Sequence, residues 1–338
     1  MKIQYFCVTL MGLCAMFCTV CSCSTGEAAA AATGQILGAS SEAPVFLACK
    51  TVSETELEFQ FSLPVKVVSL RFSPALAVDS IEDGNTVRVC LGESPGPGER
   101  ITADLLAEDA RGNTINALVP LRTRNSRIPA LRINELRTEY SKPKVEFIEL
   151  KMLSAGNLGA LRVFIGGYNK NPLIYEFNAV EVAEGEYILL HLRTVEEGCR
   201  DEYGEKLDES GGTEAPADVR DFWIPGNKEV LHKTEAVYVL DQDDQVIDAV
   251  MLTETADPWW QKEALAEAAE LLFKQGAWQS AEGKICGPAN AVISGKTSAT
   301  QTICRDEVAA GDTNTAADWY IAAKSCATPG KPNNPKRL

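Results

Sequence analysis

From Glu56 to Ser62 the chain alternates without a break, with Leu57, Phe59 and Phe61 on one side and Glu58, Gln60 and Ser62 on the other. A period of two marks a half-buried β-strand. The runs VKVVSLRF, TVRVCL and ITADLLAED follow at short intervals, separated by the turn-rich EDGN, GESPGPGE and DARGN. Closely spaced short strands with turn signals predict a β-sandwich over residues 44–125. Residues 126–130, closing on Pro129 and Ala130, read as a linker. Beyond them, helical spacing occurs in one place. Asp257 and Pro258 are a start signal and Gly276 a stop, and Leu265, Ala268, Ala269 and Leu272 share a face between them. The helix is expected to cover an end or an edge of the surrounding sheet, because an open edge strand invites unwanted pairing.

Two resemblances extend this pattern. Residues 44–125 carry Phe61-Ser62-Leu63-Pro64-Val65, then Pro97-Gly98, then Asp109-Ala110-Arg111-Gly112-Asn113. That order resembles bacterial Ig-like modules, and Cys49 and Cys90 fall in two of its strands, where they are expected to pair. Residues 131–333 open with Ile133-Asn134-Glu135-Leu136 and Phe147-Ile148-Glu149-Leu150. They continue through VEVAEGEYILLHL and AVYVLDQDDQVIDAV, and close on DTNTAADWY and ATPGKPN. In that order these landmarks resemble the lamin-tail domain family. They depart from it at Phe147, where Trp is usual, at Lys151-Met152, and at the turn Asp244-Gln245, where Gly is usual. The resemblance implies a second Ig-like β-sandwich with two insertions, an acidic loop over 196–221 and the helix over 257–278. The fold class expected is therefore all-β, two Ig-like sandwiches, the second with one inserted helix.

The N-terminus predicts an address. Lys2 precedes an uncharged apolar run, Phe6 to Val20, which is too short to span a bilayer and the right length for a signal core. Val20-Cys21-Ser22-Cys23 resembles the box at which bacterial lipoprotein signals are cut. That implies a signal peptide over 1–22 and a lipidated Cys23, anchored in the bacterial cell membrane or outer membrane and facing the periplasm or the outside. Residues 23–43, rich in Ala, Gly and Ser, read as a flexible tether. The net charge of −15, to which Lys2 contributes one positive unit, argues against nucleic acid as a partner. Of the 11 cysteines, those left downstream of Cys23 are Cys49, Cys90, Cys199, Cys286, Cys304 and Cys326. An even set in an exported chain suggests disulfides, though six cysteines allow 15 pairings. Beyond Cys49–Cys90, the expected pairs are Cys304–Cys326, which bracket the last strand-like runs, and Cys199–Cys286.

Candidate chemistry is sparse. His191, in an apparent strand, and His232 are the 2 histidines, read as a packed residue and a surface residue. No nucleophile elbow, P-loop or metal-spaced histidine cluster occurs in the sequence. Asp241, Asp243 and Asp244 read as a hairpin turn. Asp312 and Asp318 are weak candidates for calcium oxygens, and no metal or cofactor is assigned. Glu135 and Glu149 are pattern residues of the lamin-tail family, not a catalytic pair. Trp259, Trp260 and Trp278 flank the helix and are candidate anchors for an unknown protein partner, since Trp is enriched at interface hot spots. The expectation is a non-catalytic binding or scaffolding lipoprotein of the envelope. The alternatives are a surface adhesin for host protein or matrix and an accessory subunit of an exported nuclease or phosphoesterase.

Overall fold

A computed structural model describes residues 42–168, 171–308 and 311–338. The signal, Cys23 and most of the tether lie outside the described residues.

The chain is an all-β sandwich protein. Its first unit uses β1 (Phe46–Thr51), β2 (Glu56–Ser73), β3 (Val78–Glu82), β4 (Gly84–Leu91), β5 (Arg100–Glu108) and β6 (Thr114–Arg122). ELEFQFS and VKVVSLRF, expected as two strands, are one 18-residue strand. Its first half pairs with β1 and β4, its second with β5, so β2 belongs to both halves of the fold. The β2–β4 ladder is interrupted between Gln60 and Val65. Pro64 lies in that gap, where a residue without an N–H breaks no rung. The alternating residues Leu57, Phe59 and Phe61 are buried, packed with Val87, Ile101 and Leu105. In the DARGN turn, Asp109 Oδ1 accepts from the N–H groups of Arg111 and Asn113, and Gly112 takes φ +83°.

In the second unit two sheets face each other. One has the order β14-β13-β8-β7-β18-β19, from Arg220–Trp223, Tyr187–His191, Phe147–Met152, Leu131–Arg137, Ile303–Arg305 and Trp319–Ile321. The other has the order β11-β10-β15-β16-β17, from Leu173–Glu176, Arg162–Ile165, Glu235–Leu240, Val246–Thr253 and Val292–Ile293. A two-residue ladder, β9 (Gly156–Asn157) with β12 (Glu181–Val182), lies beside them. The DQDD stretch is the β15–β16 turn, with Asp244 at φ +59° and Asp241 Oδ1 accepting from Asp243 and Gln245 N–H groups. Helix α1 (Glu263–Lys274) buries Leu265, Ala268, Ala269 and Leu272, as the spacing predicts, and Gly276 ends it at φ +70°. It starts five residues after Pro258, and it lies against β15 and β16, covering a sheet face rather than an edge. Burying Leu265 and Leu272 contributes about 1.5–3 kcal/mol each.

A shift of register at Asn134 organises the first sheet. Ile133 pairs with Leu150, Glu135 with Glu149 and Leu136 with Ile148. One extra residue lets Ile133 and Leu136 both face the core while Glu135 stands opposite Glu149 on the outer face. That outer face is not left to water. The acidic loop, expected as an insertion, wraps over one end and finishes as β14, parallel to β13. The C-terminal segment crosses the other end and returns, Ala322 bridging to Arg337.

Candidate functional site

The two sandwiches meet along a row of arginines contributed by the end of β6 and the linker. Arg122 donates to Glu176 at 2.6 Å, to Asn178 at 3.0 Å and to the Gly98 carbonyl at 2.9 Å. Arg124 grips Asp243 with both terminal nitrogens, at 2.8 and 2.5 Å. Arg127 pairs with Glu181, and within the second sandwich Arg162 donates to Asp244 at 2.7 Å. Fork-to-carboxylate geometry of this kind fixes orientation as well as charge. The linker is locked in: Asn125, 2 % exposed, donates to the carbonyls of Asn157 and Gly159. At Gly98, φ +66°, an added Cβ would lie 2.4 Å from the Gly159 carbonyl carbon, so only glycine permits this approach. Above the joint lies an open groove of about 470 Å³ whose walls are Phe46, Cys49 and Lys50 of β1, Leu121 and Arg122 of β6, and Arg162. Its lining mixes apolar side chains with cationic and anionic ones, Glu176 and Asp243 among the latter.

The cysteine pairings fare differently from expectation. All six described cysteines are free thiols. Cys49 faces Phe59 across β1–β2 and Cys90 faces Glu56 across β2–β4, so β2 runs between them. Two strand spacings, about 9–10 Å, exceed what a disulfide spans, so this pair is ruled out. Cys199 lies by Gly212 and Trp223 at the β14 edge. Cys286 is buried where its carbonyl accepts from Trp260 Nε1, under α1 in the opposite half of the sandwich. These two do not meet either. Cys304 and Cys326 share one small cluster with Tyr320 and Ala322. Burial pushes the Cys49 thiol up to about 12 and that of Cys286 up to about 11, and it raises the Cys304 thiol as well.

The tryptophans also divide. Trp278 is 1 % exposed and belongs to the core, Trp260 is packed against it, and Trp259 at 65 % exposure remains on the surface. Trp278 is therefore excluded as a surface anchor. Asp312 accepts from Arg305 at 2.7 Å and from Asn314, and Asp318 accepts the N–H groups of Thr313 and Thr315 as a turn cap. Both carboxylates hydrogen-bond within the protein. Among the described residues no cluster of three or more metal-binding side chains forms.

The acidic loop holds what the sequence concealed. His191 and Asp221 meet at 2.6 Å, and the imidazole stacks on Trp223 at 3.9 Å between centroids. Burial drives both toward neutrality, His191 down to about 3 and Asp221 up to about 8, the latter helped by nearby Glu202. Glu202, itself buried, accepts from the Asp221, Glu209 and Ser210 N–H groups, and Arg137 donates to Glu214 at 2.6 Å. Each acid of the loop named here ties it down instead of facing water. His232, by contrast, is exposed and 3.0 Å from Glu229. Under the C-terminal segment, Glu135 accepts from the Thr328 N–H at 3.2 Å and Glu149 from the Gly330 N–H at 2.6 Å. Burial raises both carboxyls, Glu149 the further, with Glu135 adding to it.

Residues 129–321 match the family TP_1001_2nd, described as a protein second domain. The chain belongs to this family. The TP_1001_2nd span begins just before β7 and ends with β19, so it takes in both sheets and α1 of the second sandwich. The chain is also similar to an uncharacterized protein of Treponema pallidum (strain Nichols), 28 % identical over 196 residues. The match covers 56 % of this chain and 50 % of that one, so the chain spans about half the length of its relative.

Proposed function

We propose that the protein is an envelope lipoprotein, anchored through Cys23, whose two sandwiches form a non-catalytic binding and scaffolding module. The observation that carries the reading is the joint. Arginine–carboxylate pairs and a glycine–glycine contact hold the sandwiches in one arrangement, with an open groove between them. Ligand sites favour domain boundaries. The side chains that chemistry would recruit are spent on holding the fold, His191 on Asp221 and the two buried glutamates on backbone N–H groups. The resemblance to lamin-tail domains, which serve as adaptors beside other modules, supports the same reading, although a fold alone does not fix a function. Palmitate labelling and detergent-phase partition of the full chain test the anchor, and both are expected to vanish in Cys23→Ala. Cross-linking in intact cells tests the module. Capture of one defined envelope protein, lost in Lys50→Glu/Arg124→Glu, supports the reading; unchanged capture by that variant overturns the groove as its site.

Exposed Trp259, with exposed Ile285 beside the Cys286 carbonyl that Trp260 binds, favours a second reading as a surface adhesin. Protease shaving of intact cells that leaves the chain uncut would eliminate it.

A further inference from the structure

The C-terminal segment crosses the outer face of the first sheet at two residues per strand. Thr328 lies over β7, its N–H on Glu135, and Gly330 lies over β8, its N–H on Glu149. β18 is the next strand on the other side of β7, with Cys304 in register with Glu135. Counted back at the same pace of two residues per strand, the crossing places Cys326 on the β18 side of Thr328, toward the strand that carries Cys304. The packing agrees, since Cys326 sits against the cluster of Cys304, Tyr320 and Ala322. The sulfur of Cys304 is 3.5 Å from Glu135 Oε1, the same oxygen that holds the Thr328 N–H at 3.2 Å. The turn that delivers Cys326 is set by Ser325 at φ +58° and by the Cys326 N–H on the Ala323 carbonyl.

We propose that Cys304 and Cys326 are a disulfide-forming pair that fastens this segment to β18, while Cys49, Cys90, Cys199 and Cys286 remain thiols. The oxidant is a disulfide-bearing thiol carrier. Half-buried Cys326 attacks it as thiolate, forming a mixed disulfide and releasing one carrier thiol. The Cys304 sulfur then attacks the Cys326 sulfur, giving its proton to the Glu135 carboxylate, which passes it on to the departing carrier thiolate. Two protein thiols lose two electrons and two protons, and one carrier disulfide becomes two thiols. The crosslink ties down the strand-crossing segment whose removal would uncover Glu135 and Glu149.

The test uses the full chain and added oxidised glutathione, so it does not depend on where the protein resides. After oxidation, alkylation with N-ethylmaleimide and digestion without reduction, mass spectrometry is expected to find a Cys304–Cys326 linkage. Cys49, Cys90, Cys199 and Cys286 should be alkylated. Both partners alkylated once the chain is denatured, or either one linked elsewhere, overturns the pairing. Hydrogen exchange reads the fastening: the Thr328 and Gly330 amides should exchange at least tenfold more slowly in the oxidised protein. Cys326→Ser, at a half-buried position, should lose that difference, and equal rates in the two redox states of the wild type would overturn the fastening role.

Discussion

Replacing Asp221 with Asn should abolish much of the alkaline loss of stability in the second sandwich. Asp221 is fully buried against His191, with its own Oδ2 unpartnered, and its folded carboxyl titrates at about 8. In the unfolded chain an Asp titrates near 3.9. The folded state therefore holds the proton more tightly. Its contribution is complete below about pH 4 and is lost as pH rises through about 8. At about 1.36 kcal/mol per pH unit, the wild type should lose roughly 2–3 kcal/mol from this group between pH 6 and pH 9. The side-chain amide of the Asp221→Asn variant carries no proton to lose, and it can donate to His191 Nε2, so at pH 6 the two proteins should differ by about 1 kcal/mol or less. His191 works the other way. Its pKa falls from the usual 6.5 to about 3, so its share is lost as pH drops through that range and leaves the window above pH 7 to Asp221. Urea unfolding followed by tryptophan fluorescence is the assay, because all 5 tryptophans lie in the second sandwich. Other groups titrate alike in both proteins and cancel in the difference. If wild type and Asp221→Asn lose stability in parallel from pH 6 to pH 9, the pair is ionised in the folded protein and the argument from burial fails.

Glu149→Gln should likewise flatten the alkaline limb, raising stability above pH 8 relative to wild type in urea titrations, because burial and Glu135 hold the Glu149 carboxyl well above its ordinary range. Trp278→Ala should cost about 3–5 kcal/mol by calorimetry, whereas Trp259→Ala should stay within about 0.5 kcal/mol. Gly98→Ala should force the joint apart at Gly159, and small-angle scattering should record a larger radius of gyration with both sandwiches still folded. An unchanged radius would show that the arginine pairs set the arrangement without the glycine contact.

The elements legible in the sequence were those whose pattern is local. Alternation at Leu57, Phe59 and Phe61 and the 3–4 spacing on α1 each report one buried face, and both faces are where the pattern places them. β3 and β6 were not singled out: each takes its place through a neighbouring strand, and β3 is exposed at every position. β2 was divided at Pro64 because a proline reads as a break, although it interrupts only one ladder of a strand that continues beyond it.

The polar residues mislead for the opposite reason. A glutamate-rich stretch reads as solvated because charge is costly to bury, and the cost is met here by partners far away in sequence. Glu214 reaches Arg137, Glu146 reaches Arg193, and Glu135 and Glu149 wait for the N–H groups of Thr328 and Gly330. No local pattern encodes those meetings. What the sequence does carry is their trace. YILLH and FIEL lack the clean alternation of ELEFQFS, since sheet faces buried on both sides have no polar side to display. A strand without alternation in an otherwise alternating chain therefore predicts that its outer face is covered. Here the candidates for the cover are the two long irregular segments, and both take the part. The negative charge of the chain is thus in part internal, holding loop and tail against the sheet.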